Sequence, residues 1–339
     1  MTDKAKTAER YKNAFSLIRY FFALSLFLFH FSVLTGCHYA FPVGGGQVVA
    51  AFFTMSGFLI FRSLQRGGGT RSYAKRRFMH IYPPYACCIL LCTALGACFS
   101  SLSFHEFFHN AQTWKYIFSN LAFLNFLQPT LPEVFADNNL QAVNGSLWFM
   151  KVEVIFYISA PVLFHIYKRF NKHKTSICVY IMLTTLCAIT VHILQRAGFG
   201  SLAPIENTLR GLLQIFCGVA AFQYISYIKR HIIKVLLFSA AIYVVANSCP
   251  QLYAISSPAF ALIIVCTAYL PELLPERISA CLKYITSIPD ITYGIYLYHF
   301  PVIQAVIAAG IYRQNALKAF LTSFLITIAV AIALKRPNQ

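Results

Sequence analysis

A chain of 339 residues with 58% hydrophobic and 11% charged side chains carries too little charge to solvate a soluble fold of that size, so most of it belongs in lipid. A mean hydropathy of +0.62 with 32 Phe and 20 Tyr excludes a cytosolic enzyme, a disordered tail and a disulfide-stapled secreted domain. The formal charge of +18 does not mark a nucleic-acid groove, because the bases sit in short links between apolar runs, and no nucleic-acid partner is expected.

A membrane-crossing helix needs about 20 mostly apolar residues. In chain order the predicted spans are 14–34, 47–64, 82–102, 147–167, 175–194, 207–227, 231–247, 255–270, 291–311 and 316–334. The expected fold class is all-α, a polytopic integral membrane helical bundle of about ten transmembrane helices forming a single domain over residues 1–339. Residues 1–13 are expected as a cytoplasmic tail and 103–146 as an outer-side loop, in which 114–127 is short enough to be interfacial or re-entrant. The first apolar run is too long for a cleaved leader and lacks a small-x-small cleavage pattern, so it is expected to stay as a helix. No internal repeat suggests an inverted-repeat transporter. Gly44 to Gly46 and Gly67 to Gly69 read as flexible links around the second span.

Charge placement tests this order. With the N-terminus in the cytoplasm, about 22 of the 28 Lys and Arg residues fall on the cytoplasmic side. The opposite side holds Lys115, Arg196, Arg210, Arg313 and Lys318. An even number of spans with both termini cytoplasmic fits best. Most of the 11 cysteines lie within spans as packing residues. Cys37 and Cys249 are the outer-side candidates for a bridge that spacing alone does not establish.

Ionisable groups inside a membrane are costly and mark function by default. In the first span Arg19 and His30 are eleven residues apart, about 20° beyond three full turns and about 16 Å of rise, so both point from one stripe. Arg19 at the cytoplasmic mouth suits an anion and His30, deeper, suits proton transfer near neutral pH. In the second span Ser56-Gly57 allows close approach by a backbone or a slim ligand. The link that follows carries Arg71, Lys75, Arg76 and Arg77 before Pro83-Pro84, a cluster fit to hold a polyphosphate or to satisfy topology alone. On the outer side His105-Glu106-Phe107-Phe108-His109 spells the H-E-x-x-H zinc string, without an evident third ligand. Glu153, the carboxylate placed well inside the fourth span, must be protonated, paired or wet, and a His or Arg of another helix is its expected partner because Lys151 faces elsewhere. Tyr293, Tyr296, Tyr298 and His299 form a late polar patch, with His299 read as a hydrogen-bonded core histidine.

In order along the chain, Arg19-x10-His30, Phe52-x3-Ser56-Gly57, Arg76-Arg77 through Ile81 and Pro83, Leu147-Trp148 to Glu153 with Phe156-Tyr157, and Tyr296-Leu297-Tyr298-His299-Phe300-Pro301 resemble five motifs of the acyltransferase-3 family of bacterial membrane O-acyltransferases. The chain departs from the family pattern at His80, where an Arg is usual, at Ala50, often acidic, and before Pro337, where a Glu is common. No attached hydrolase-like domain is expected, so a mechanism that passes the acyl group to one would need a separate partner. The resemblance implies transfer of an acyl group, acetyl in the first instance, from cytosolic acyl-CoA to a sugar hydroxyl of a cell-surface or lipid-linked glycan in the bacterial inner membrane. It implies that Arg19, Arg76 and Arg77 hold the donor's phosphates, that Ser56 lines its passage and that His30 acts as base or as the carrier of a transient acyl group. Glu153 would orient a His or Arg or keep two helices in register. Acyl-CoA is the expected co-substrate, with no metal. Two other classes compete: a glycan transporter or flippase that makes no covalent bond, and a zinc protease built on His105-Glu106-x-x-His109.

Overall fold

The computed structural model describes residues 14–37, 43–169, 203–249, 252–275 and 290–335, together with parts of 181–196. The described residues are helical and contain no strand beyond an isolated bridge between Ser100 and Val134. The helices are α1 (Phe15–Thr35), α2 (Gly45–Gln65), α3 (Gly69–Phe99), α4 (Phe104–His109), α5 (Ala111–Leu121), α6 (Trp148–Arg169), α7 (Ala203–Gln223), α8 (Ile225–Arg230), α9 (Ile232–Asn247), α10 (Tyr253–Tyr269), α11 (Thr292–Ala308), α12 (Ile311–Gln314) and α13 (Ala316–Ala333).

Every expected span that falls within the described residues coincides with a helix; the expected span 175–194 and the tail 1–13 lie largely outside them. Among the described residues six segments are long and apolar enough to cross a membrane: α1, α2, α3, Gly145–Arg169, Tyr253–Leu273 and α13. Of the other expected spans, three are shorter or carry charge, and 175–194 lies largely outside the described residues. Helix α9 has 16 residues and α11 has 17, short of the roughly 20 that hydrocarbon demands, while α7 carries Glu206 and Arg210 in its first two turns. Lipid-facing surfaces agree with an integral membrane protein. Ile158 is 75% exposed and Phe238 is 70% exposed, and Val162, Leu237, Leu317 and Leu325 are exposed too.

One expectation needs correction. The basic stretch after α2 is not a loop but the first half of α3, a 31-residue helix that runs through Pro83 and Pro84. It starts in a turn of three glycines, Gly67, Gly68 and Gly69, all with positive φ. At 1.5 Å per residue α3 is about 46 Å long, well over the hydrocarbon thickness of about 30 Å, so its basic end projects beyond the apolar layer.

The chain forms two compact units. The first comprises Met1–Phe22, Gly46–Ala74 and Val152–Pro289, the second Ala23–Gly45, Lys75–Lys151 and Asp290–Gln339. In the first, α10 packs against α7 and α9. Helices α2 and α7 cross at glycines: a Cβ on Gly57 would meet the Ile215 carbonyl oxygen at 2.1 Å, and one on Gly218 would meet that of Thr54 at 2.1 Å. Buried Gln214 donates from Nε2 to Thr54 Oγ1 at 2.8 Å and to the Ser257 carbonyl at 3.1 Å, tying α2, α7 and α10 by one side chain. Phe15 packs tilted against Phe58 and edge-on to Tyr269, and the Ala14 N–H donates to the Ala268 carbonyl at 2.7 Å.

In the second unit α11 and α13 form an antiparallel pair, reversed at Gly310, whose φ is 74°. Phe27, Phe31 and Leu34 of α1 join Phe300, Ile303, Val306 and Ala319 in its core. The segment 128–146 is irregular, yet its polar groups are satisfied by α11. Gln304 donates to the carbonyls of Leu140 and Ala142 at 2.6 and 2.8 Å and accepts from Asn138 Nδ2 at 2.8 Å. Asn144 Nδ2 donates to the Leu297 carbonyl at 2.9 Å, and the Tyr296 hydroxyl donates to that of Ser146 at 2.6 Å. The expected outer-side loop is thus a fixed cap that includes α4 and α5. Helix α5, 11 residues long, is too short to cross a membrane, and its Trp114 and Phe118 are exposed as interfacial aromatics would be.

Candidate functional site

Helix α1 presents Phe27, Phe31 and Leu34 to the core of the second unit, and His30 lies one turn from Phe27 and from Leu34 on the same stripe. Its half-buried ring therefore turns toward α11. There it meets the edge of Phe300 at 5.1 Å between centroids and lies nearly parallel to the ring of His299 at 4.9 Å and 24°. His30 Nδ1 is 2.6 Å from His299 Nε2. The other nitrogen of His299, Nδ1, lies 2.9 Å from the carbonyl oxygens of both Ile295 and Tyr296. His299 is 1% exposed. It is the hydrogen-bonded core histidine that its sequence suggested, and it is also the direct partner of His30, which the sequence reading missed. The only signal was its place in the late Tyr-rich motif; 269 positions separate the two rings.

The expected site residues divide between the units: Arg19, Ser56 and Glu153 belong to the first, His30, Arg76 and Arg77 to the second. Arg19 is half-buried near the start of α1. Ser56 is half-buried beside Gly57, where the approach that the small residue permits is made by the Ile215 backbone of α7. Glu153 is 2% exposed on α6, and Lys151 is directed elsewhere, with its Nζ 4.7 Å from the Phe126 ring centre. Arg76 is exposed and Arg77 half-buried on the basic half of α3.

Helices α3 and α11 run side by side in the same direction in the second unit. The Tyr293 hydroxyl donates to the Ile81 carbonyl at 3.0 Å, His80 stacks on the Tyr293 ring, and one helical turn further along α11 Cys88 Sγ donates to the Leu297 carbonyl at 3.3 Å. Arg77 lies four residues before Ile81 and His299 six residues after Tyr293, so the arginines and the imidazole pair are separated by about 15 Å along these helices.

The first unit contains a second cationic feature. A cavity of about 500 Å³ is lined by Arg62, Arg66, Lys229, Glu272, Tyr269 and Phe58. Lys229 Nζ pairs with Glu272 Oε2 at 2.8 Å and lies 4.3 Å from the Tyr269 ring centre. Sequence reasoning counted these bases only toward topology.

The zinc-like string has another use. Ser103 and Glu106 form a capping box on α4: the Ser103 hydroxyl and N–H donate to Glu106 Oε2 at 2.7 and 2.9 Å, and the Glu106 N–H donates to Ser103 Oγ at 3.3 Å. The Ser103 hydroxyl, then its backbone N–H, hold the exposed Glu106 carboxyl below the usual carboxylate range. His109 donates from Nδ1 to the His105 carbonyl at 2.8 Å, and the two imidazoles stack at 3.9 Å. Among the described residues no group of three His, Cys, Asp or Glu is placed to hold a metal. Cys37 and Cys249, candidates for a bridge, are not joined by a disulfide.

Comparison with known proteins agrees with the family that the motifs resemble. The acyltransferase-3 family model, an acyltransferase domain, matches residues 12–336. An O-acetyl transferase of Shigella phage Sf6 is 25% identical over 342 residues, covering 96% of this chain and 95% of that protein. No solved structure matches the chain.

Proposed function

The chain belongs to the acyltransferase-3 family, an integral-membrane acyltransferase, and from that premise we propose that it moves an acyl group, acetyl in the first instance, from cytosolic acyl-CoA to a sugar hydroxyl of a cell-surface or lipid-linked glycan. The family relative described as an O-acetyl transferase supports the choice of acyl group. The excess of bases in alternate links supports a place in the bacterial inner membrane with both termini in the cytoplasm.

One observation above others supports this reading: the half-buried His30, which shares α1 with Arg19 about 16 Å nearer the helix start, is held by a second histidine on α11. Size and charge divide the donor's binding. The nucleotide phosphates stay at the wet, cationic end, on Arg76 and Arg77 with Arg19 as a further cation, and only the thin uncharged pantetheine arm enters the low-dielectric interior. The roughly 15 Å along α3 and α11 from those arginines to the imidazoles is a span that an extended pantetheine arm bridges. Ser56 lines the arm's passage, and Glu153 orients a His or Arg or holds two helices in register.

In the reaction, a nitrogen of His30 takes the proton of the sugar hydroxyl as its oxygen bonds to the thioester carbonyl carbon. The tetrahedral adduct collapses with loss of the carbon–sulfur bond, and the departing thiolate recovers the proton from His30. A second route has His30 attack the thioester first, expelling the thiolate; the sugar oxygen then takes the acyl group from the acyl-imidazolium, its proton passes to the thiolate and His30 is left neutral. Neither route draws on a metal ion. The glycans of cells carrying the wild-type gene are expected to bear an alkali-labile ester that cells with His30→Ala lack at equal levels of membrane protein. Retained ester in the variant removes His30 from the chemistry, and a wild type that moves glycan without adding any ester favours a flippase.

A specific observation favours a second seat for the phosphates, the cavity of Arg62, Arg66 and Lys229. Arg76→Ala with Arg77→Ala is expected to raise the apparent KM for acyl-CoA about tenfold or more, one or two charge-assisted contacts. If Arg62→Ala with Arg66→Ala raises it instead, the donor docks in the cavity.

A further inference from the structure

Taking His30 as the group that handles the hydroxyl proton, we propose that His299 is its positioning residue: it fixes the tautomer of His30 and so selects Nε2 as the nitrogen that receives the proton. Nδ1 of His299 faces two carbonyl oxygens, of Ile295 and Tyr296, each at 2.9 Å. Carbonyls only accept, so this nitrogen bears the hydrogen. A neutral imidazole has a single N–H, which leaves Nε2 of His299 with a lone pair. That lone pair lies 2.6 Å from His30 Nδ1, so His30 Nδ1 is the donor of the pair. His30 Nε2 is left as the free base.

The arrangement also holds the ring still. His299 is 1% exposed, and Phe27, at 6.5 Å from its ring, and Phe300, at 5.1 Å from that of His30, leave the pair little room to rotate. When His30 Nε2 takes the hydroxyl proton, the positive ring keeps its Nδ1–H directed at a lone pair, which stabilises the charge as it develops. The oxygen–hydrogen bond of the sugar breaks, an Nε2–H bond forms, and the same proton leaves with the thiol. In the acyl-imidazole route the same restriction makes Nε2 the atom that is acylated.

The test compares two uncharged replacements of similar size. His299→Leu removes the acceptor, and His299→Gln offers its amide oxygen near the place of Nε2. His299→Leu is expected to lower kcat about 100-fold with KM for acyl-CoA within about threefold, and His299→Gln to recover at least about tenfold of that loss. A kcat within threefold of wild type in His299→Leu overturns the proposal, as does a His299→Gln that is no better than His299→Leu. A spectroscopic arm does not depend on those variants folding. In wild-type protein labelled with ¹⁵N-histidine in nanodiscs, the resonances lost in His30→Ala are expected to be those of an Nδ1-protonated ring, and an Nε2-protonated ring overturns the proposal. Activity in His30→Ala would instead sink the reading of His30 itself, so the two failures are distinguishable.

Discussion

His30 and His299 illustrate how a membrane interior handles polar groups: each nitrogen that faces protein has a partner, and the chain of donors begins at helix carbonyls. Arg19, His30 and Glu153 were legible in the sequence because ionisable residues inside apolar runs are rare and stand out. The partnership of His30 with His299 was not legible, since no local pattern links residues 269 positions apart. Gly57 was legible only as an ambiguity between a ligand and a backbone, and the structure resolves it in favour of the Ile215 carbonyl of α7. Because a Cβ there would lie 2.1 Å from a backbone atom that cannot swing aside, Gly57→Ala is expected to force α2 and α7 apart and cost about 1–3 kcal/mol. Thermal unfolding in nanodiscs measures it, and an unchanged midpoint would show that the crossing is loose.

Elements were read best where the bilayer dictates their length. The apolar runs of α1, α2, α6 and α13 match their helices within a few residues at either end. The failure at α3 has a physical cause: Pro83 and Pro84 and five bases nearby, Arg66 to Arg77, read as a link, whereas outside hydrocarbon a helix tolerates charge and its neighbours accommodate the prolines. The segment before α6 shows a similar limit. Phe123, Glu133 and Phe135 have positive φ, a strain of about 1–3 kcal/mol each that no hydropathy pattern reports and that bonds to α11 help to offset. In α4 the H-E-x-x-H string serves as a cap. The carboxyl of Glu106 ionises more readily in the folded chain, so its contribution is present above the ordinary carboxylate pKa and is lost as pH falls through the lowered one. Amide exchange at Ser103 and Glu106 is expected to be slow at neutral pH and to lose protection on acidification, and Glu106→Gln to weaken that pH dependence with acyl transfer unchanged. Loss of transfer in Glu106→Gln would restore the string to the chemistry.

At the scale of the whole molecule, the family model runs through both compact units, so the expected residues of both belong to one family domain. The proposed orientation makes a direct prediction: reporters fused to either terminus are expected in the cytoplasm, and one in 128–146 outside; termini on opposite faces would require an odd number of spans, and an N-terminus outside would reverse the placement of Arg76 and Arg77. The decisive measurement is made in sealed vesicles that expose the cytosolic face, with labelled acetyl-CoA outside and acceptor glycan enclosed, comparing wild type with His30→Ala at equal amounts of folded protein. Wild type is expected to place label on the enclosed glycan as an ester and His30→Ala to lose about 100-fold or more of that rate. Label that reaches the glycan at a rate within a few-fold of wild type in the variant would contradict the account.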